Sequence, residues 1–336
     1  MKILTDEKIP LIADLFGTEA AVIQKPGHLI TADDLKDVDV LLVRTVTKVN
    51  EALLKGSAVR FVGTATSGID HLDCDYLKQY GIAWASAKGA NAEAVVNYVM
   101  GSITTLQKLN KLPKKPRVGI IGVGKIGSRL AEVLKPMATE ILLNDPLRAE
   151  NEIDFVSTPL EAFYSLDLIS LHTPLTHHTQ HPTYHLINAE FLRHLKPQSV
   201  LINTARGGVI DEAALLELTE PPTLCLDVWE HEPSINLKLM ELATIATPHI
   251  AGYSQEAKWR ASLMLYEPIR RCFGLSEMSA SLKELLPLEQ ERQFVNCLYL
   301  PLKDTEVMKN ALLNSDNARE CFEELRRNYI PRRDNL

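Results

Sequence analysis

Three polar residues each follow an apolar run that reads as a β-strand: Arg206 after LINTA, Glu232 after LDVWEH and His249 after TIATP. Positions beyond the carboxyl ends of strands are where open α/β sheets collect their ligands. Arginine is a permanent bidentate cation, suited to holding a carboxylate beside a carbonyl. Histidine as a residue type exchanges protons near neutrality, so it can take a hydroxyl proton while hydride leaves the same carbon. A glutamate can orient that imidazole, as a third group does in many acid–base relays. Each residue alone also reads blandly, as a helix cap, a surface acid before Pro233 and a turn residue. Together, Arg206, Glu232 and His249 form a candidate catalytic set for hydride transfer.

Hydride transfer needs an acceptor, and residues 118–127, VGIIGVGKIG, offer a place for one. They contain Gly122-x-Gly124-x-x-Gly127 between an apolar strand and the helical pattern SRLAEVLK. The first glycine permits the tight turn, the second lets backbone approach a pyrophosphate, and the third lets helix and strand close together. The helix start then faces phosphates with backbone amides, those of Lys125 and Ile126 among them. A second strand ends at Asp145, eighteen residues beyond Gly127. A carboxylate there bonds ribose hydroxyls and repels a 2′-phosphate, which favours NAD over NADP. Arg148 is the one nearby residue that weakens this preference.

Two runs of alternating strands and helices carry these residues. Strands are expected at 2–4, 21–24, 39–44, 60–65 and 82–87, with helical stretches at 50–55 and 74–81. A long helix is expected over 91–110, and KLPKKPR (111–117), with two prolines and clustered charge, reads as a domain break. Six further strands, at 118–123, 140–145, 166–172, 199–205, 223–229 and 244–250, complete a doubly wound domain. A helix over 254–273 can return to the first domain. The tail has a strand-like stretch, EQERQFVNCLYLPL, and an amphipathic helix, NARECFEELRRNYI. It is too short for its own core and must pack on something else, a second subunit being one choice.

These residues resemble the D-2-hydroxyacid dehydrogenase family. The resemblance is carried by GVGKIG with Asp145, HTPL (172–175), NTARGGVID (203–211), LDVWEHEP (226–233) and TPHIAG (247–252), and it spans the N-terminus to about residue 273. It implies an NAD-dependent dehydrogenase with Arg206, Glu232 and His249 as catalytic residues. It also implies Thr173, Asp227 and Gly252 near the cofactor, with Asp227 at the nicotinamide amide. The implied fold has two doubly wound parallel-sheet α/β domains, a Rossmann NAD domain over 98–255 and a flavodoxin-like substrate domain of 1–97 and 256–273. The active site is expected in the cleft between them. A small α+β segment, 274–336, is expected to form a homodimer. The stretches 41–54 (LLVRTVTKVNEALL), 61–73 (FVGTATSGIDHLD) and 249–254 (HIAGYS) resemble a branch acting on a phosphorylated acid. There Thr45, Thr66 and Tyr253 contact substrate.

The residues favour a phosphorylated substrate independently. Arg44-Thr45-Val46-Thr47-Lys48 places two cations and two hydroxyls at one strand end, a patch suited to an anion. The alternative within the family is a phosphoglycerate or glyoxylate/hydroxypyruvate dehydrogenase, and a non-phosphorylated substrate would leave Arg44 and Lys48 idle. An NAD-sensing corepressor on the same fold would leave the catalytic set unused. The second basic cluster, Arg326, Arg327, Arg332 and Arg333, reads as a solvated or subunit-contact surface.

Other classes are disfavoured. His172, His177, His178, His181 and His185 lie close in sequence, but no cysteine joins them and Pro174 and Pro182 interrupt any shared helix, so no metal is expected. The 336-residue chain has Lys+Arg 36 against Asp+Glu 43, a net charge of −7, which argues against nucleic-acid binding. No apolar run approaches the ~20 residues of a membrane span. Five scattered cysteines without a CxxC pair fit a reducing, cytoplasmic compartment.

Overall fold

The computed structural model describes residues 1–277 and 299–334. Its described residues form two compact units, one of 1–91, 253–277 and 332–334, the other of 92–252 and 299–331. In chain order the first begins with β1 (Lys2–Asp6), α1 (Ile12–Phe16), β2 (Ala21–Lys25), β3 (Val40–Val43), α2 (Glu51–Leu54), β4 (Phe61–Thr64), α3 (Cys74–Gln79) and β5 (Ala83–Ser86). The second follows with α4 (Ala92–Lys108), β6 (Arg117–Ile121), α5 (Lys125–Leu134), β7 (Glu140–Asn144), α6 (Pro146–Asn151) and β8 (Leu168–Leu171). It continues through α7 (Ala189–His194), β9 (Val200–Asn203), α8 (Glu212–Glu217), β10 (Thr223–Leu226), α9 (Leu237–Leu242) and β11 (Ile245–Ala246). Helix α10 (Gln255–Phe273) returns to the first unit, and α11 (Leu302–Leu313) and α12 (Ala318–Arg327) belong to the second.

Both sheets are wholly parallel. The first has the order β2-β1-β3-β4-β5, the flavodoxin-like arrangement, and its switch point lies between β1 and β3. Strands β3 and β4 read VLLV and FVGT and are buried throughout, as strands covered on both faces must be. One face packs under Leu35, Val38 and Leu77, the other under Phe16, Leu265 and Ile269. The second sheet has the order β11-β10-β9-β8-β6-β7, so the chain reverses direction across the sheet between β6 and β8. Beyond β7, the Thr158 N–H donates to Leu143 O at 2.7 Å, a short extended segment that covers this edge.

Two elements differ from the expected layout. The break at 111–117 ends α4 but is not where the units divide. Val95, Val96, Val99 and Ile103 of α4 pack with Val118, Ile120 and Leu130 of the second unit, which moves the division to 91/92. In the tail, the amphipathic helix appears as α12, but α11 over LKDTEVMKNALL was not anticipated. Both pack on the core of their own second unit through Met308, Leu312 and Phe322, each at most 1% exposed. Thr305 Oγ1 accepts the Ala246 N–H at 3.1 Å, so α11 also shields the edge strand β11. Residues 289–298 of the strand-like stretch 289–302, Cys297 among them, lie outside the described residues. Among the described residues no helix is long and apolar enough to cross a membrane.

Candidate active site

The glycine turn of the second unit shows what each glycine is for. Gly122 sits at φ +87°, and a Cβ there would lie 2.6 Å from the His172 carbonyl carbon and 2.7 Å from Thr173 N. A Cβ on Gly127 would lie 2.1 Å from Gly122 O, so strand and helix touch through backbone. Gly124 has nothing within 4 Å of its Cβ position and opens α5 without a side-chain cap. A phosphate can therefore approach the first amides of α5, those of Lys125 and Ile126 included. Asp145 ties this turn to the end of β7: Oδ2 accepts the Val123 N–H at 2.9 Å and Oδ1 caps α6 through the Arg148 N–H at 3.0 Å. Arg148 folds back onto Val123 O and Ser128 Oγ, both at 3.0 Å, and stacks on Phe155. Thr173 Oγ1 is buried beside the turn without a hydrogen-bond partner, which suits a site completed by a polar ligand. The residues present thus fit an NAD pyrophosphate and ribose.

Arg206, Glu232 and His249 line one pocket of about 350 Å³ in this unit, together with Leu175, Trp229 and Glu230. His249 Nδ1 lies 2.8 Å from Glu232 Oε2, while Glu232 Oε1 accepts the Trp229 N–H at 2.9 Å. Burial pushes the Glu232 carboxyl up, but His249, the Arg326 charge and the Trp229 amide outweigh it and hold it below the usual carboxylate range. His249 itself stands at φ +58°, in the left-handed region that few non-glycine residues adopt. Its N–H donates to Asp227 O at 2.7 Å. Asp227 Oδ1 accepts Thr247 Oγ1 and the Ile250 N–H, both at 2.7 Å, and Oδ2 accepts the Ala251 N–H at 2.9 Å. Asp227 is 1% exposed, and burial raises its pKa. Its carboxylate thus serves the segment carrying His249, and it is absent from the pocket lining.

Sequence reasoning did not single out Asn203 or Glu212. Asn203 Nδ2 donates to Arg206 O at 2.9 Å and its Oδ1 accepts the Ala205 N–H at 3.0 Å, an Asx-type brace for the arginine turn. A Cβ on Gly207 would lie 1.9 Å from the Trp229 carbonyl carbon, so the Arg206 and Glu232 turns meet backbone to backbone. Glu212, 7% exposed, accepts the Glu230 N–H at 2.6 Å; burial, with Glu230 and Glu232 nearby, pushes its carboxyl up to about 7. The partners of Asn203, at the end of β9, are only two and three residues on, a local Asx signal present in NTAR, whereas Glu212, at the start of α8, meets Glu230, eighteen residues away.

Of the histidines between 172 and 185, His177 and His185 both pack on the Tyr184 ring, with His178 beside His177, while His172 and His181 stand apart. Burial alone pushes His172 down to about 3, and its ring meets Ser170 Oγ at 2.9 Å. His181 pairs with Glu150 and His185 with Glu230. Among the described residues no cluster of three or more His, Cys, Asp or Glu is arranged to hold a metal.

The candidate substrate residues of the first unit are held differently. Arg44 Nε pairs with Asp6 Oδ2 at 3.0 Å. Thr45 and Lys48 are exposed, whereas Thr47 is buried and donates to Gly27 O at 2.8 Å. Thr66 Oγ1 lies 2.7 Å from Thr64 Oγ1 and donates to Gly68 O. Tyr253 precedes α10 and its carbonyl accepts from Arg332 Nη1 at 3.2 Å. Gly252 closes the second unit where the chain passes to the first. The tail arginines separate. Arg326 acts on Glu232, Arg327 reaches Glu323 at 4.0 Å on the surface, and Arg333 pairs with Glu256 at 2.5 Å.

Comparison with known proteins agrees with this geometry. Residues 96–251 match the NAD-binding domain of the D-isomer specific 2-hydroxyacid dehydrogenases. The erythronate-4-phosphate dehydrogenase of Coxiella burnetii is 45% identical over 98% of this chain and 92% of its own length. That of Pseudomonas putida is 42% identical over 99% and 93%. Among solved structures, the D-lactate dehydrogenase of Aquifex aeolicus with NAD and lactic acid has a TM-score of 0.66 and 25% identity, covering 82% of this chain and 96% of its own. The chain belongs to the erythronate-4-phosphate dehydrogenase family of D-isomer specific 2-hydroxyacid dehydrogenases.

Proposed function

We propose that this chain oxidises 4-phospho-D-erythronate to 2-oxo-3-hydroxy-4-phosphobutanoate with NAD, as a cytoplasmic enzyme of vitamin B6 biosynthesis. The observation that carries the chemistry is the His249–Glu232 pair at 2.8 Å in one pocket with Arg206. Bound at the glycine turn by the Lys125 and Ile126 amides, NAD would supply the hydride acceptor for C2 of the substrate. His249 Nε2 takes the proton of the 2-hydroxyl, so the carbon–oxygen bond becomes a carbonyl as hydride departs. Glu232 holds Nδ1 and balances the imidazolium that forms. Arg206 holds the neighbouring carboxylate by charge-assisted hydrogen bonds and keeps C2 in place. Lys125 and Ile126 amides, Gly122, Gly124, Gly127, Asp145, Thr173, Asp227 and Gly252 form or support the NAD site. Arg44, Thr45, Lys48, Thr66 and Tyr253 receive the rest of the substrate.

The reading extends to assembly. Val307 and Leu313 on α11 are 48% and 46% exposed and Ile330 after α12 is 85% exposed, apolar surface suited to a second copy of the chain. Light scattering of the purified protein is expected to give a dimer that Val307→Asp with Ile330→Asp dissociates.

The activity is tested by turnover of 4-phospho-D-erythronate beside 3-phosphoglycerate and glycerate, with NAD and a 2-oxo acid acceptor present. Preference for 4-phospho-D-erythronate by about 100-fold or more in kcat/KM is the expected result. Equal or better turnover of 3-phosphoglycerate would reassign the substrate.

A further inference from the structure

The first unit adds to Arg44 two cations, Lys8 and Lys258, that the motifs did not indicate. Asp6 ends β1 and is 0% exposed; Arg44 follows β3, the neighbouring strand. These carboxyl ends flank the switch point of the sheet, where doubly wound folds open their ligand crevice. Asp6 is already engaged at both oxygens, Oδ1 by the Lys8 N–H at 2.8 Å and Oδ2 by Arg44 Nε at 3.0 Å. Helix α10 runs along the segment after β1. Ser262 Oγ donates to Pro10 O at 2.7 Å, and Leu265 and Ile269 pack with Ile9 and Ile12. Lys258 lies one turn before Ser262 on the same helix face, which brings it beside Asp6, Lys8 and Arg44. Among the described residues Lys258 makes no salt bridge, and Lys8 and Arg44 repel it more than Asp6 attracts it.

Three cations therefore share one carboxylate whose oxygens are both in use. Lys258 and Arg44 are half-buried and Lys8 is exposed, and like charges gathered around a partly desolvated ammonium disfavour its charged form. Burial first, then Arg44 and Lys8, lower the Lys258 pKa, and Asp6 offsets them only in part. The local sum of three positive and one negative charge complements a phosphate monoester, which carries about −1.5 to −2 near neutrality. Asp6 fixes the Arg44 side chain by its Nε, leaving the guanidinium nitrogens Nη1 and Nη2 to meet phosphate oxygens.

We propose that Lys258, with Arg44 and Lys8, binds the phosphate of the substrate and sets the preference for a phosphorylated acid, with Asp6 as the brace for Arg44. This rests on the function proposed above, and Lys48, exposed on the loop, is then peripheral. The test compares the parent, Lys258→Met, Lys258→Arg and Lys8→Gln with 4-phospho-D-erythronate and with D-erythronate, at saturating NAD. Inorganic phosphate serves as a competing probe. In Lys258→Met the KM for the phosphorylated acid is expected to rise about tenfold or more with kcat little changed. The preference over D-erythronate should fall in proportion, and phosphate inhibition should weaken with it. Lys258→Arg should recover most of the loss, and Lys8→Gln should lose about two- to fivefold, as an outer charge does. Parent-like preference and phosphate inhibition in Lys258→Met would overturn the assignment. A parent without any preference for the phosphorylated acid would instead reject the substrate reading itself.

Discussion

The two units hold their polar residues to different degrees, although Arg44, Thr47 and Thr66 of the first are tied down as well. In the NAD-binding unit, Glu232 and Asp227 each have both carboxylate oxygens engaged within their own turn or the neighbouring His249 segment, and His249 is held in a left-handed backbone. In the first unit, Thr45 and Lys48 stand exposed and Lys258 carries its charge without an ion partner among the described residues. The difference matches the tasks. A proton transfer fails when its partners move by an ångström, so those residues are fixed by backbone hydrogen bonds. Attraction of a phosphate falls off slowly with distance, so a looser set of charges suffices.

The sharpest way to break this contrast is Gly207→Ala. The new Cβ would lie 1.9 Å from the Trp229 carbonyl carbon and 2.3 Å from Glu230 N, and backbone cannot yield as a side chain can. Overpacking of this kind costs about 3 kcal/mol or more and separates Arg206 from Glu232. Activity is expected to fall about 1,000-fold, with a lowered Tm; calorimetry and steady-state kinetics check both. Parent-like kinetics would show that the two turns need not meet.

A smaller effect tests how crowded the same wall is with carboxylates. The Glu212 pKa rises from 4.5 to about 7 in the folded chain, so between those values the folded state binds more protons than the unfolded. Stability from this group is full below 4.5, declines through that window and is lost above 7. Glu212→Gln, which still offers an acceptor to the Glu230 amide, is therefore expected to be more stable than the parent at pH 8 by about 2 kcal/mol. At pH 4.5 the two should be about equal. Urea unfolding of both proteins at the two pH values decides it; a pH-independent difference would contradict the assignment.

The smallest effect belongs to the looser unit. Thr45 is exposed, and Thr45→Ala removes one hydroxyl from a loop that has other donors. Its KM for 4-phospho-D-erythronate is expected to change by about threefold or less, with Tm unchanged. A hundredfold loss would show that the first unit positions substrate as rigidly as the second positions the proton acceptor.

Much of the fold was legible because parallel strands buried on both faces read as apolar runs; VLLV at 40–43 and VLIN at 200–203 are examples. The catalytic set was legible because each member follows such a run. Other features depended on partners distant in sequence. The boundary at 91/92 falls at the start of α4, in a run the sequence carries as one unbroken helical pattern, and only packing of Val95 and Val99 on β6 reveals it. Strand β11 was expected over 244–250 but keeps two residues, because Pro248 lacks an N–H and His249 turns to positive φ. Helix α11 follows Pro301 and a strand-like stretch, which concealed its pattern. Lys258 looks like any solvated helix lysine until the Ser262–Pro10 contact places it beside Arg44.

The most direct measurement is NADH formation in a single turnover of 4-phospho-D-erythronate by the parent and by His249→Ala, with NAD affinity measured in parallel. If His249 is the proton acceptor oriented by Glu232, NADH forms in the parent, falls about 100- to 10,000-fold in the variant, and NAD binds both alike. A near-parent rate in His249→Ala, or no NADH from the parent, would contradict that assignment.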